Sequence, residues 1–541
     1  MVFARRSTTL LAAIIASCAM VLSLTACTSD NKTVVDGQTT VTSNSAGGVA
    51  VFTPSDGITL NQQMPLNKWA KLVPDLTKAL VDAGFKKGDI NHTTSDSLDK
   101  QSRAIQDFVV DHLSNNTTDD SGIAIAPDNM TLLVAPVVEA DASTRQYGDY
   151  VSQNLSTNDV TDEGATSDGE SSEDDSSKDD SSNTESDSTA SDEQAQAVDR
   201  LVSSLKLAKE SGMHVVLLGN SIEGYKPDAF VKFSDAQTIG KLQAEKMVSK
   251  LKLDKASKDN PKYIEVLLPY TAMDEKGNAN DSTFAQEAFR GIWQVLGSYY
   301  QKGVVESPSG TLDGKSTEND WQAVAYDAAK EGSTAKVLDK RLAKTDGQST
   351  LTRIDGIITM NDYIASEVVK ELDDLGYTGS AADINPQITI SGIVGNITGK
   401  KDLSRDAVPD PIKSPENDNA NDSSSSDDDA DKDTSASDKD RDSQWPLVTG
   451  YGAYVSNIPS IVNGKQWMTG MEDRQTIATD IAQACAKLNK DEALNSMPSI
   501  RNSEVGGVKK IPTISEPLLA VSASNLKSAL IDPCLLYTSP S

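Results

Sequence analysis

The sequence predicts an α/β fold of two doubly wound lobes with two disordered acidic insertions, on three observations. Apolar runs of about five to eight residues alternate with stretches whose apolar residues recur at helical spacing, as in parallel strands covered on both faces by helices. The β-α units are too numerous for one comfortable sheet, so two Rossmann-like lobes fit the 541 residues better. Finally, only 37% of residues are hydrophobic and 5% aromatic, which is lean for a fully packed chain of this size.

The elements follow in chain order. Gly48–Thr53 is an apolar strand ending in Pro54-Ser55-Asp56-Gly57, a turn sequence. Trp69, Leu72, Val73, Leu76 and Leu80 mark a helix closed by Gly84, and Ile105, Phe108, Val109 and Leu113 mark the next. Thr131–Val138 reads as a buried strand. Val198, Leu201, Val202, Leu205 and Ala208 form a helix ending at Gly212, followed by the strand His214–Leu218. A long helix is expected from about Ala236 to Leu253, then a strand over Tyr263–Pro269, with helices over Phe284–Tyr300 and Ala323–Leu342. Strands follow at Ile354–Met360, Ile388–Ile393 and Leu447–Thr449, and helices at Ile364–Leu375 and Arg474–Leu488.

The net charge of −30, from 80 acidic against 50 basic residues, is concentrated in two places. Thr157–Gln196 holds 14 acidic residues and one lysine, and Pro415–Ser443 holds 11 acidic against three basic. Neither tract can bury enough apolar surface to offset chain entropy, so both are expected to be disordered insertions. Neither has the fixed Asp spacing and turn glycine of a calcium loop. The acidity argues against nucleic acid, and three histidines argue against a His-rich metal site.

The first 27 residues address the compartment. Arg5 and Arg6 precede an apolar run from Thr9 to Leu24, too short for a comfortable membrane span, and Leu24-Thr25-Ala26-Cys27 follows. That ending resembles the lipobox of bacterial lipoproteins. The resemblance implies a signal peptide over 1–26, diacylation of Cys27 and a polar anchor spacer over 27–47, with the body on the extracytoplasmic face of the cell membrane. Cys18 leaves with the signal and Cys485 sits in an Ala-rich helical pattern, so no disulfide framework is expected. Residues 534–541, Cys534 through Ser541, look like translated sequencing adapter rather than natural chain after about Pro533.

From about Gly48 to Pro533, apart from the insertions, the order of pieces resembles the type I periplasmic sugar-binding proteins, closest to the xylose and multiple-monosaccharide binders. The most specific piece is Trp445–Ala478, similar to the family's strand, turn, helix, strand and final helix. Asn361-Asp362 after a strand, Trp321 before a helix, Ser211–Val216 and Pro517–Val521 also match. The resemblance implies the type I periplasmic-binding-protein fold, with an N-terminal lobe over 48–234, a C-terminal lobe over 235–449, a return over 450–520 and a final crossover over 521–533. It implies hinge closure over a carbohydrate, delivery to an ABC permease, no cofactor, no metal, and action as a monomer.

Its site implications fall on Ser55, Asp56, Asn220, Trp321, Asn361, Asp362 and Tyr451. Asn361 and Asp362 match the family directly, and Trp321 matches an aromatic that could stack on a sugar or belong to the core. Asn220, Ser55 and Asp56 are also readable as turn or cap residues. The family's Asp-Arg pair falls on Gly219 and Asn220, and its turn Asp falls on Gly452 beside Tyr451. Losing these charged groups implies a different ligand, a weaker grip or none.

An enzyme is the least supported class. No Gly-x-Ser-x-Gly elbow occurs, and paired carboxylates are plentiful only in the acidic tracts. Two alternatives stay open beside the importer protein. One is a surface sensor or scaffold of the same fold with a decayed sugar site. The other is a nucleoside-binding lipoprotein, for which Trp321, Tyr451 and Tyr454 are the candidate aromatics.

Overall fold

The computed structural model describes residues 34–35, 38–39, 46–55, 65–115, 125–138, 145–150, 153–156, 185–273, 280–343, 351–381, 445–526 and 529. The expected signal peptide, Cys27, Asp56, the strand Ile388–Ile393, the tract 415–443 and the tail 534–541 lie outside them, as does 157–184 of the first tract. The chain divides into a unit up to Asn44 and a unit from Ser45 onward. In the first, β1 (Val34–Val35) pairs antiparallel with β2 (Gln38–Thr39).

The second unit holds two main sheets. In the N-terminal lobe, β3 (Gly48–Pro54) lies one strand in from the edge, between β4 (Ile90–Ser95) and β5 (Met130–Val134). Then come β7 (His214–Leu218) and β9 (Ala229–Lys232), all parallel. A late hairpin, β17 (Ile500–Val505) and β18 (Val508–Ser515), completes the seven strands, with β18 parallel to β9. Strand alternation sends successive side chains to opposite faces. Val49, Val51, Val216 and Leu218 thus pack under α1 (Trp69–Asp82) and α10 (Arg474–Leu488). Ala50, Phe52, Val215 and Leu217 pack under α2 (Leu98–Asn115) and α3 (Glu185–Glu210). Both faces are buried, which is why these strands read as continuous apolar runs.

The C-terminal lobe holds a parallel sheet in the order β12 (Val305–Glu306), β10 (Lys262–Val266), β14 (Gly356–Ile358) and β15 (Leu447–Val448). Helices α4 (Ala236–Leu251), α5 (Thr283–Gln301), α7 (Ser333–Arg341) and α8 (Asp362–Asp374) share one apolar cluster with it. Between the sheets, β16 (Met468–Met471) pairs antiparallel with β19 (Leu519–Ser522). Two parallel sheets joined in this way form the two-lobed α/β architecture expected from the sequence.

Four differences have local causes. The last twelve residues of the first acidic tract, 185–196, are not an insertion but the opening turns of α3. Ala195 and Ala197 are already buried, and a helix nucleated by the Val198–Leu205 stripe extends cheaply toward its N-terminus. The single helix expected over Ala323–Leu342 is divided into α6 (Trp321–Val324), the two-residue strand β13 (Ala325–Tyr326) and α7. Gly332, left-handed at φ 71°, begins α7 anew. The expected strand Tyr263–Pro269 is interrupted at Leu267, whose N–H donates to Ile358, leaving β11 (Leu268–Pro269) to pair with β13. Finally, β17 and β18 were not expected; they meet at Gly506-Gly507, both at positive φ.

Candidate functional site

The two sheets present their carboxyl ends to each other, where ligands bind in open parallel folds. Three of the helices are capped by short polar side chains. Asp235 accepts from the Thr238 N–H (2.7 Å) ahead of α4, Asp473 from Thr476 (3.2 Å) ahead of α10, and Asn361 from Ile364 (2.9 Å) ahead of α8.

The crossing strands are gathered by one buried cluster. The Tyr451 hydroxyl contacts Ser234 Oγ at 2.5 Å and donates to Glu472 Oε1 at 3.4 Å, while Ser234 N–H donates to the same carboxylate oxygen at 2.7 Å. These residues stand after β9, after β15 and after β16, so three passages of chain meet at one carboxylate. Among the described residues no basic group belongs to this cluster, and burial pushes the Glu472 carboxyl up to about 7. Tyr451 is fully buried, and burial likewise lifts its hydroxyl well above its ordinary range. The residue expected at a ligand is here a fastener of the crossings.

Asp362 has a related role. Its carboxylate accepts from Tyr454 N–H (2.9 Å), Gln466 Nε2 (2.7 Å) and Thr469 Oγ1 (2.9 Å), all neutral donors. Burial raises it to about 6 even so. Asn361, equally buried, uses its oxygen for the α8 cap, leaving Nδ2 to cross the lobe boundary and donate to Gln146 Oε1 at 3.0 Å. Gln243 supports this corner from α4: Nε2 donates to Met360 O (3.0 Å) and Oε1 accepts from Thr449 Oγ1 (2.6 Å).

The remaining expected positions are placed as follows. Trp321 begins α6 and sets its ring edge-on to Tyr270 (5.1 Å), almost wholly within the C-terminal core. Asn220 is buried, donating to Pro136 O (2.9 Å) and accepting from Gln153 N–H (3.0 Å), and so joins the ends of β5 and β7 to the segment 153–156. Ser55 is exposed at the end of β3, its N–H held by Ser95 O at 2.8 Å. Asn361, Asp362 and Tyr451 are brought together; Trp321, Asn220 and Ser55 have separate surroundings.

Gly219 and Gly452, where charged groups would be expected from the resemblance, have physical reasons to be glycine. Gly219 has φ 73°, and a Cβ there would lie 3.6 Å from the Phe233 ring and 3.7 Å from Trp69. Gly452 has φ 112°, with the Tyr454 ring 3.0 Å and Pro65 3.2 Å from where a Cβ would stand. A carboxylate at either position would meet aromatic and apolar groups rather than a solute.

Sequence reasoning passed over the segment Arg145-Gln146-Tyr147-Gly148-Asp149-Tyr150. It descends from β5 of the N-terminal lobe, yet Tyr147 belongs to the C-terminal core, 4.6 Å from the Phe284 ring and 6.2 Å from Tyr451. Tyr150 stacks on Phe233 (4.8 Å) and meets Trp69 edge-on (5.0 Å). The available signal was two tyrosines and a glycine within six residues, between a buried strand and an acidic tract.

No protein-family profile matches the sequence, and neither does any curated protein. Solved structures do. An ABC transporter solute-binding protein from Clostridium phytofermentans with bound β-D-glucose is 16% identical at a TM-score of 0.42, over 90% of this chain and 96% of that one. A carbohydrate transporter solute-binding protein from Chloroflexus aurantiacus in complex with D-glucose is 17% identical at 0.42, over 92% and 98%. The arabinose-binding protein AraP from Geobacillus stearothermophilus is 10% identical at 0.42, over 89% and 99%. Each of the three is a solute-binding protein.

Proposed function

We propose that the chain is an extracytoplasmic, lipid-anchored solute-binding protein that captures a small polar solute, a carbohydrate, between two lobes and presents it to an ABC permease. The observation that carries this reading is the meeting of three chain passages at Ser234, Tyr451 and Glu472. Chain crossings gathered at one buried cluster are what a hinge needs, and the Asn361 amide stands at a strand end of the same lobe boundary. Cys27 supplies the anchor in this reading, and one copy suffices.

The test is a melt of the full chain against D-glucose, D-ribose and L-arabinose. A solute that binds only the folded state stabilises it by about 2.7 kcal/mol at a hundredfold excess over Kd. A shift with one sugar supports the reading; no shift with any counts against it. A second reading, a surface sensor or scaffold of the same fold, draws support from one contact. The Asn361 amide, the best-placed solute donor, already has Gln146 as its partner. Capture of an envelope protein without any sugar-dependent shift would favour that alternative.

A further inference from the structure

We infer that residues 145–150 are an intramolecular plug, a piece of the N-terminal lobe seated where a solute would bind, and that a solute must displace it. The inference rests on the solute-binding reading only for the identity of the displacing molecule.

The segment is held from both sides. Toward the C-terminal lobe, Gln146 Oε1 accepts from Asn361 Nδ2 (3.0 Å) and Gln146 O accepts from the Tyr454 hydroxyl (2.7 Å). Tyr147, 1% exposed, lays its ring against Phe284. Toward the N-terminal lobe, Asp149 accepts from Lys68 Nζ (2.6 Å) and Trp69 N–H (3.1 Å), and its own N–H donates to Asn67 O (2.8 Å). Gly148 lets the backbones close: a Cβ there would stand 2.5 Å from Asn67 O. The Tyr150 hydroxyl donates to Lys68 O, and its ring covers Phe233 and Trp69, the same rings that close off Gly219.

The occupant therefore resembles a ligand chemically. It offers an acceptor to the Asn361 amide and a flat, partly apolar face to Phe284 and Tyr451. A pyranose offers both, with ring hydroxyls as acceptors and a C–H face for stacking. Because the plug is tethered, it competes at high effective concentration, and the apparent affinity for a free sugar falls by the fraction of time the site is vacated.

The test compares the full chain with Gln146→Gly/Tyr147→Gly and with Tyr147→Phe, each confirmed folded by circular dichroism. Hydrogen exchange and small-angle scattering are measured with and without D-glucose. The double variant is expected to lose protection at the amides of Trp69, Asp149 and Tyr454, to scatter as a larger particle, and to bind D-glucose about tenfold or more tightly than the parent. Tyr147→Phe, which keeps the ring, is expected to behave as the parent. If the folded double variant matches the parent in protection and scattering, the plug is refuted, whatever happens with sugar. If it opens but D-glucose, D-ribose and L-arabinose leave it open, the plug stands and the carbohydrate reading falls. Should the double variant fail to fold, Gln146→Ala, which removes only the acceptor for Asn361, supplies the same exchange comparison.

Discussion

Glu472→Gln tests the hinge cluster through its pH dependence. In the folded chain the carboxyl is buried against Ser234 and Tyr451 and raised from an ordinary 4.5 to about 7. A raised acid binds its proton more tightly in the folded state. Its effect on stability is therefore nil below the unfolded value, and stability falls as pH rises from about 4.5 to about 7. The displacement corresponds to a penalty on the order of 3 kcal/mol at pH 8. Glutamine keeps the oxygen that accepts from Ser234 N–H and never ionises. Urea unfolding at half-unit steps from pH 4.5 to 8 should show the variant close to the parent at the acid end. It should then draw ahead by about 3 kcal/mol at the alkaline end. Asp362, raised to about 6 by the same cause, gives both proteins a shared decline over the lower part of the range. Parallel pH curves for parent and variant would refute the reasoning, because a carboxylate without a titration difference is not buried in this cluster.

Two further substitutions probe separate parts of the account. Gly219→Asp places a side chain at φ 73° beside the Trp69 and Phe233 rings; it should destabilise the chain by about 1–3 kcal/mol in the same urea assay, and should not tighten sugar binding. Arg341→Met leaves Glu265, fully buried on β10, without its cation partner among the described residues (3.5 Å), although Ser307 Oγ and the Ser309 N–H still donate to it at 2.7 and 2.8 Å. The loss should be about 3–5 kcal/mol by urea unfolding, and Glu265→Gln added to Arg341→Met should recover part of it.

The strands buried on both faces were the most legible elements. Gly48–Pro54, Met130–Val134 and His214–Leu218 carry their burial as mostly apolar residues, broken only by Thr53, Thr131 and the opening His214. The edge strand Ile90–Ser95 has four consecutive exposed positions, and no hydrophobic pattern announces it. The hairpin at Gly506-Gly507 carried a turn signal, but its strand Ile500–Val505 is largely polar and lies on the opposite edge. At the site, sequence assigned Ser55, Asp56, Asn220, Trp321, Asn361, Asp362 and Tyr451 to one ligand, whereas the structure gathers Asn361, Asp362 and Tyr451 around partners the sequence left unknown. Those partners lie at residues 146, 234, 454, 466, 469 and 472, and proximity between positions so far apart in the chain exists only once both sheets have formed. The plug was invisible for the same reason: nothing in Arg145–Tyr150 says that one tyrosine packs into one lobe and the next into the other.

The central claim, a solute site at the lobe boundary with the Asn361 amide as a contact, is tested most directly by calorimetry. D-glucose, D-ribose and L-arabinose would be titrated into the Gln146→Gly/Tyr147→Gly chain, with and without Asn361→Asp. Aspartate keeps the α8 cap, since its oxygen still accepts from the Ile364 N–H, but it has no N–H to give. The account predicts saturable binding of at least one sugar to the plug-free chain and a loss of about tenfold or more on Asn361→Asp. No saturable heat with any of the three, or equal affinity with and without the amide, would contradict it.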